Sequence, residues 1–197
     1  MFAVIDVETT DLLRKGAALD DPSQPHIIQA SALLCEEDGS IRSALRDAYV
    51  KPGDDWRITP GAARTHGITL QDARRWGQAL AVVLGHVVGL CANVRTIVAY
   101  GSFDFDVVTS ELLRMGKSTR SWDRPGLQKV NVMEAATVPA DLVREDGTRK
   151  WPSLSEAVVT LLGREHEGAH SSWWDANATL ELFLHLRARG FIEGGAA

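Results

Sequence analysis

Two cysteines in 197 residues are too few to staple a fold. Cys35 and Cys91 each lie in an apolar segment without CxxC or Cys/His spacing, so a structural zinc is excluded and two buried free thiols are expected, in a reducing, cytoplasmic setting. Long apolar runs are also missing. No stretch approaches the roughly 20 residues of a membrane span, and residues 79–94 are interrupted by Gly85, His86 and Gly89. The run Phe2-Ala3-Val4-Ile5 is too short for a signal peptide, lacks a basic flank and ends in Asp6, so none is expected. Positive charge is not in excess: 21 Lys+Arg against 26 Asp+Glu give a net charge of -5. That argues against high-affinity, sequence-independent duplex binding driven by counterion release, and any nucleic-acid role must be local or metal-assisted.

What is present is ordinary globular composition, 45% hydrophobic and 24% charged, with 17 glycines and 7 prolines. At this length roughly 70% of the unfolded chain's surface can be buried without disulfides, so one domain over residues 1–197 is expected.

Residues 2–6 read as a short, fully buried strand. Residues 12–26 read as a loop, and residues 27–35 and 43–50 as strands around the Asp38-Gly39 turn, which gives three antiparallel strands. Residues 60–94 read as helix, 96–100 as strand, 103–115 as helix closed by Gly116, and 129–133 as a further strand. Residues 138–152 read as a polar loop. Ser153 with Glu156 matches a capping box for a helix over 154–162, and a last helix is expected over about 171–189, ended by Gly190. This order implies one mixed α/β sheet with helices on both faces.

Three acidic clusters stand at element ends. Asp6 and Glu8 are two apart on a strand, so both point to one side. Paired carboxylates repel unless a cation lies between them, and hard divalent ions such as Mg²⁺ or Mn²⁺ are the natural fillers. The alternative is an acidic pair that merely ends a strand at the surface. Ser102-Phe103-Asp104-Phe105-Asp106 sits at a strand-to-helix junction, where a carboxylate can also serve as a cap. His170 precedes the last helix and Asp175 lies in its first turns; a lone histidine at such a place usually has no chemical role.

Taken in order, Asp6 and Glu8 in Ile5-Asp6-Val7-Glu8-Thr9-Thr10, Asp104 in Ser102-Phe103-Asp104, and His170 with Asp175 resemble the three motifs of the DEDDh 3′-to-5′ exonucleases. The segment from Ile58 to Thr69, which ends in His66-Gly67-Ile68-Thr69, and the segment from Lys150 to Gly163 are similar to further family segments. The resemblance implies a ribonuclease H-like fold, with a central five-stranded mixed sheet whose first three strands are antiparallel, flanked by helices. It implies two-metal phosphodiester hydrolysis with two Mg²⁺ or Mn²⁺ ions, releasing nucleoside 5′-monophosphates. Asp6 would bridge both ions, Glu8 and Asp175 would complete the inner ion's shell, and Asp104 would hold the outer one directly or through water. His170 would be the general base, a role that an unperturbed pKa near 6.5 permits.

The expected partner is a single-stranded or frayed 3′ end, DNA more than RNA, with a DNA polymerase or a non-catalytic binding role as alternatives. Thr9, Thr10, Leu12 and His66 are the expected substrate-binding residues, the first three beside the terminal nucleotide by resemblance and His66 by ordering the loop rather than by acting chemically. Arg114, Lys117 and Arg120 could hold phosphates or form a solvated helix end. Three positions depart from the family pattern: Asp11 stands where glycine is usual, Tyr100-Gly101 where asparagine is frequent, and Trp173 and Trp174 where small residues are common. The two tryptophans suit core packing better than base stacking. Between Asp104 and Asp106, helical projection favours Asp104 as ligand, in line with Val108 and Met115, and puts Asp106 on the opposite side with Thr109, Ser110 and Leu113.

Overall fold

The computed structural model describes residues 1–193. Five strands, β1 (Phe2–Thr9), β2 (Ile27–Cys35), β3 (Ile41–Tyr49), β4 (Thr96–Ala99) and β5 (Gln128–Asn131), form one sheet in the order β3-β2-β1-β4-β5. β1, β2 and β3 pair antiparallel, while β4 and β5 join in parallel. The mixed sheet with its antiparallel opening is the one the sequence implied.

β1 is central and is covered on both sides, which is why its residues read as a continuous apolar run rather than an alternation. Ala3, Ile5 and Val7 pack on Val83 and Val87 of α3 (Leu80–Cys91) and on Phe105 and Val108 of α4 (Phe103–Arg114). Phe2 and Val4 point the other way, to Ala136 of α5 (Val132–Ala140) and to Ala176, Leu182 and Leu186 of α7 (Ser172–Ala188). Cys35 and Cys91 are buried free thiols, and burial pushes them up to about 11 and about 12, which leaves them protonated and unreactive at neutral pH. No helix among the described residues is long and apolar enough to cross a membrane.

Two expectations change. The helix over 60–94 is three helices, α1 (Pro60–His66), α2 (Leu70–Trp76) and α3. Gly67 closes α1 in the left-handed region at φ 69°, and Thr69 with Asp72 then forms a capping box that starts α2 afresh. Gly77 ends α2 where a Cβ would lie 2.3 Å from the Ala73 carbonyl oxygen and 2.4 Å from the Lys51 nitrogen. The second change is that residues 132–140 are helical, not partly strand and partly loop: the Asn131 side chain accepts from Glu134 N–H to start α5, and Asp141 at φ 48° ends it. The capping box at Ser153 is present and opens α6 (Leu154–Ala157), which widens into a π turn over Val158–Leu162 and stops at Gly163.

Candidate active site

The two layers converge on the C-terminal end of β1. Asp6 and Glu8 continue the Phe2 and Val4 row, so their carboxylates face α7, whose first turn supplies Asp175. Asp6, Glu8 and Asp175 each offer a carboxylate oxygen, and these oxygens lie within 4.8 Å of one another. Asp104 arrives from the opposite layer. β4 pairs with β1 only as far as Val4 and Val98, and farther along β1 the Val7 N–H donates to Asp104 Oδ1 at 2.9 Å.

These groups repel one another in a dry place. Burial, then Asp104, Asp175, Glu8 and Asp47, hold Asp6 well above the usual carboxylate range. Burial, then Asp175 and Asp104, push Glu8 to about 8. Burial raises Asp104 to about 7 against the opposing Val7 N–H bond. Asp175 is also raised by burial, against the pull of His166 and the His170 N–H. Among the described residues no Lys or Arg forms an ion pair with Asp6, Glu8, Asp104 or Asp175. Clustered oxygen donors without a protein cation fit hard divalent ions.

An exonuclease family model, RNase T, matches residues 3–183. The chain belongs to the RNase T exonuclease family. It is 26% identical over 187 residues to Exodeoxyribonuclease I of Escherichia coli (strain K12), covering 87% of this chain and 37% of that protein, so it spans little more than a third of that relative's length. E. coli Exonuclease I in complex with a dT13 oligonucleotide superposes with a TM-score of 0.77 at 22% identity, over 95% of this chain and 41% of the other. A product-bound structure of exonuclease I gives 0.75 at 21% identity, over 96% and 44%. These superpositions show a shared fold, the sheet with its flanking helices.

Other residues line the cleft of this exonuclease-family chain, about 690 Å³ in volume, beside the acidic cluster. Asp104 is buried and lines it; Asp106 does not, and is only partly covered, near Lys129. The projection erred on Ser110, which is buried on α4 with its hydroxyl donating to the Leu19 carbonyl oxygen. His170 lines the cleft at φ 70°, and its N–H donates to both Asp175 oxygens at 3.1 and 3.3 Å.

Thr9 and Leu12 line the cleft, and Leu12 is 75% exposed. Thr10 does not line it. Its hydroxyl accepts from His26 N–H and its carbonyl from Thr59 N–H, so it ties the first-motif loop to its neighbours. His66 Nδ1 accepts from Ile68 N–H at 3.0 Å, which leaves Nε2 protonated to donate to the Thr9 carbonyl at 3.1 Å. Burial also lowers the pKa of His66, so it stays neutral and orders the loop.

The departures have local explanations. Asp11 accepts from Leu12 N–H at 2.9 Å and from the Thr59 hydroxyl at 3.2 Å, joining the loop to the start of α1. The Tyr100 hydroxyl donates to the Pro152 carbonyl at 2.8 Å. The two tryptophans differ: Trp173 is partly buried and packs against the hydrophobic core, with the Arg46 guanidinium 4.8 Å from its ring centre, whereas Trp174 is 45% exposed and does not. Arg114 does not join Lys117 and Arg120 in an open phosphate patch. It turns inward to Glu111 at 2.7 Å and to the Gln24 and Pro25 carbonyls.

Sequence reasoning missed His166. Its side chain is 3% exposed, with Nε2 3.2 Å from Asp175 Oδ1 but off the line of a hydrogen bond, and Nδ1 3.1 Å from the Ser155 hydroxyl. The only signal was a second histidine nine positions before Asp175, and no periodicity relates a loop residue to a helix face.

Proposed function

We propose that this chain is a divalent-metal-dependent 3′-to-5′ exonuclease that shortens single-stranded DNA and releases nucleoside 5′-monophosphates. The convergence of Asp6, Glu8 and Asp175 with Asp104 at one end of an open cleft carries the reading. Asp6, Glu8 and Asp175 would hold one Mg²⁺ or Mn²⁺, and Asp6 with Asp104 a second. When bound, such ions make water nucleophilic at neutral pH and stabilise charge on the attacking and leaving oxygens.

The chain's own groups do the rest. His170, which lines the cleft while its backbone N–H is tied to Asp175, accepts a proton from the attacking water. The water oxygen bonds to phosphorus as the bond to the 3′ oxygen breaks, and that oxygen takes up a proton. The strand is left one nucleotide shorter with a new 3′ hydroxyl. Leu12 offers an exposed apolar side chain to the terminal base, and Thr9, its carbonyl fixed by His66, borders the same nucleotide.

DNA is favoured because the exonuclease I structures similar in fold include complexes with dT13 and dA16. The net charge of -5 favours a companion that grips the DNA, and a DNA polymerase is the second reading. Incubation of 5′-labelled single-stranded DNA and RNA with the chain alone tests both. A ladder that shortens from the 3′ end with Mn²⁺, and not with EDTA, is expected on DNA. An intact oligonucleotide at millimolar Mn²⁺ overturns the reading for the free chain.

A further inference from the structure

The β2–β3 ladder is irregular opposite the site. Ala30 pairs with Ala48 and Ala32 with Leu45, so Arg46 and Asp47 together stand across from Ser31. This is a β-bulge, the device that re-aims a side chain near active sites. Asp47 takes a left-handed backbone, φ 42°, which costs a non-glycine residue energy and persists only where its surroundings fix it.

The bulge turns the Asp47 carboxylate onto the start of α7. Asp47 Oδ1 accepts from the Ser171 hydroxyl at 2.9 Å and from Trp173 N–H at 3.1 Å. Ser171 is the residue before the helix, yet its side chain makes no capping bond of its own. A carboxylate from a different strand therefore does the capping. The backbone N–H of Asp47 donates to Ser31 Oγ at 2.9 Å, which lies 2.9 Å from Ser172 Oγ, and Ser172 N–H donates to Gln29 Oε1 at 3.0 Å. Ser31 and Gln29 are the β2 partners of Asp6 and Glu8. The first turn of α7 is thus bonded to the strand pair that carries two of the carboxylates, and the Asp175 N–H closes on the Ser171 carbonyl at 3.0 Å.

We propose that Asp47 is a positioning residue that sets Asp175 against Asp6 and Glu8, acting through Ser171 and Trp173. It does not line the cleft and is not one of the Asp6, Glu8 and Asp175 oxygen donors. The proposal rests on the metal-dependent reading above, and Mn²⁺ titration of the wild type tests that reading separately: a wild type that binds no Mn²⁺ sinks the function itself.

Given wild-type binding, Asp47→Gly removes the acceptor and also relieves the left-handed strain, so the fold is retained. We expect its Mn²⁺ affinity by calorimetry to fall about tenfold, within the 10–100-fold usual for groups that orient metal ligands, with kcat falling similarly and KM for a DNA oligonucleotide within about twofold. Asp47→Asn keeps a carbonyl oxygen in place and stays near wild type. Ser171→Ala cuts the same bond from the helix side, with a smaller loss that does not add to that of Asp47→Gly. Wild-type Mn²⁺ affinity and kcat in Asp47→Gly would overturn the proposal, and so would an Asp47→Asn loss as large as that of Asp47→Gly, which would make the charge and not the acceptor the cause.

Discussion

Glu8 binds its proton more tightly in the folded protein than in the unfolded chain, because burial and two neighbouring carboxylates raise it from an ordinary 4.5 to about 8. The sign follows from linkage: a group with a raised folded pKa costs nothing below its unfolded pKa and destabilises progressively as pH rises towards the folded one. Metal-free protein should therefore lose stability between about pH 4.5 and 8, whereas Glu8→Gln loses less over that window. Parallel melting curves at pH 5, 6, 7 and 8 in EDTA check this, and identical pH profiles for the two proteins would contradict it. The histidines divide just as clearly. His170→Ala should lower kcat by roughly 10² to 10⁴, the usual contribution of a positioned base, while Mn²⁺ binding by calorimetry is kept. Asp6, Glu8, His170 and Asp175 were legible in the sequence because two-residue strand spacing and the motif order point to them. His166 was not, since its contact joins a loop to a helix face and burial alone makes it meaningful. Arg114 was misread because Glu111, which draws it inward, is itself buried against Ile27 N–H and His26, more than 80 positions away.

At the level of elements, α4 decides which second-motif carboxylate reaches the site. Two residues two apart on a helix diverge by about 200°, so only one can turn to β1. Asp104 does, through Val7 N–H. Asp104→Asn should cut Mn²⁺-dependent single-turnover hydrolysis at least about a hundredfold, while Asp106→Asn stays within a few-fold; the reverse ranking would contradict the assignment. The helical breaks at Gly67 and Gly77 carried sequence signals that the apolar spacing overrode: a glycine at each stop, and Thr69 with Asp72 as a fresh start between them. Gly77 is at φ -74°, which any residue adopts, so its need is for close approach to Lys51 and Ala73. Gly77→Ala should destabilise by about 1–3 kcal/mol, read as a Tm lower by roughly 2–12 °C, with the site's metal affinity unchanged.

Across the whole molecule, the sheet brings three separate parts of the chain to one strand end: β1 directly, α4 from one layer and α7 from the other. The fold class was readable because the strand and helix order leaves few topologies open. The apposition of Asp104 and Asp175 across β1 came from the family resemblance, and composition alone would not have supplied it. Because burial pushes Glu8 to about 8 and Asp104 to about 7, the cluster holds protons at pH 7 that a bound cation must displace. Calorimetric titration of Mn²⁺ at pH 7, in two buffers of different ionisation enthalpy, therefore reads the metal site and its proton linkage together. Two ions should bind per chain with net proton release, and both features should be lost when Asp6 is replaced by Asn. Absence of Mn²⁺ binding at millimolar concentration, or binding unaffected by Asp6→Asn, would contradict the metal-dependent reading.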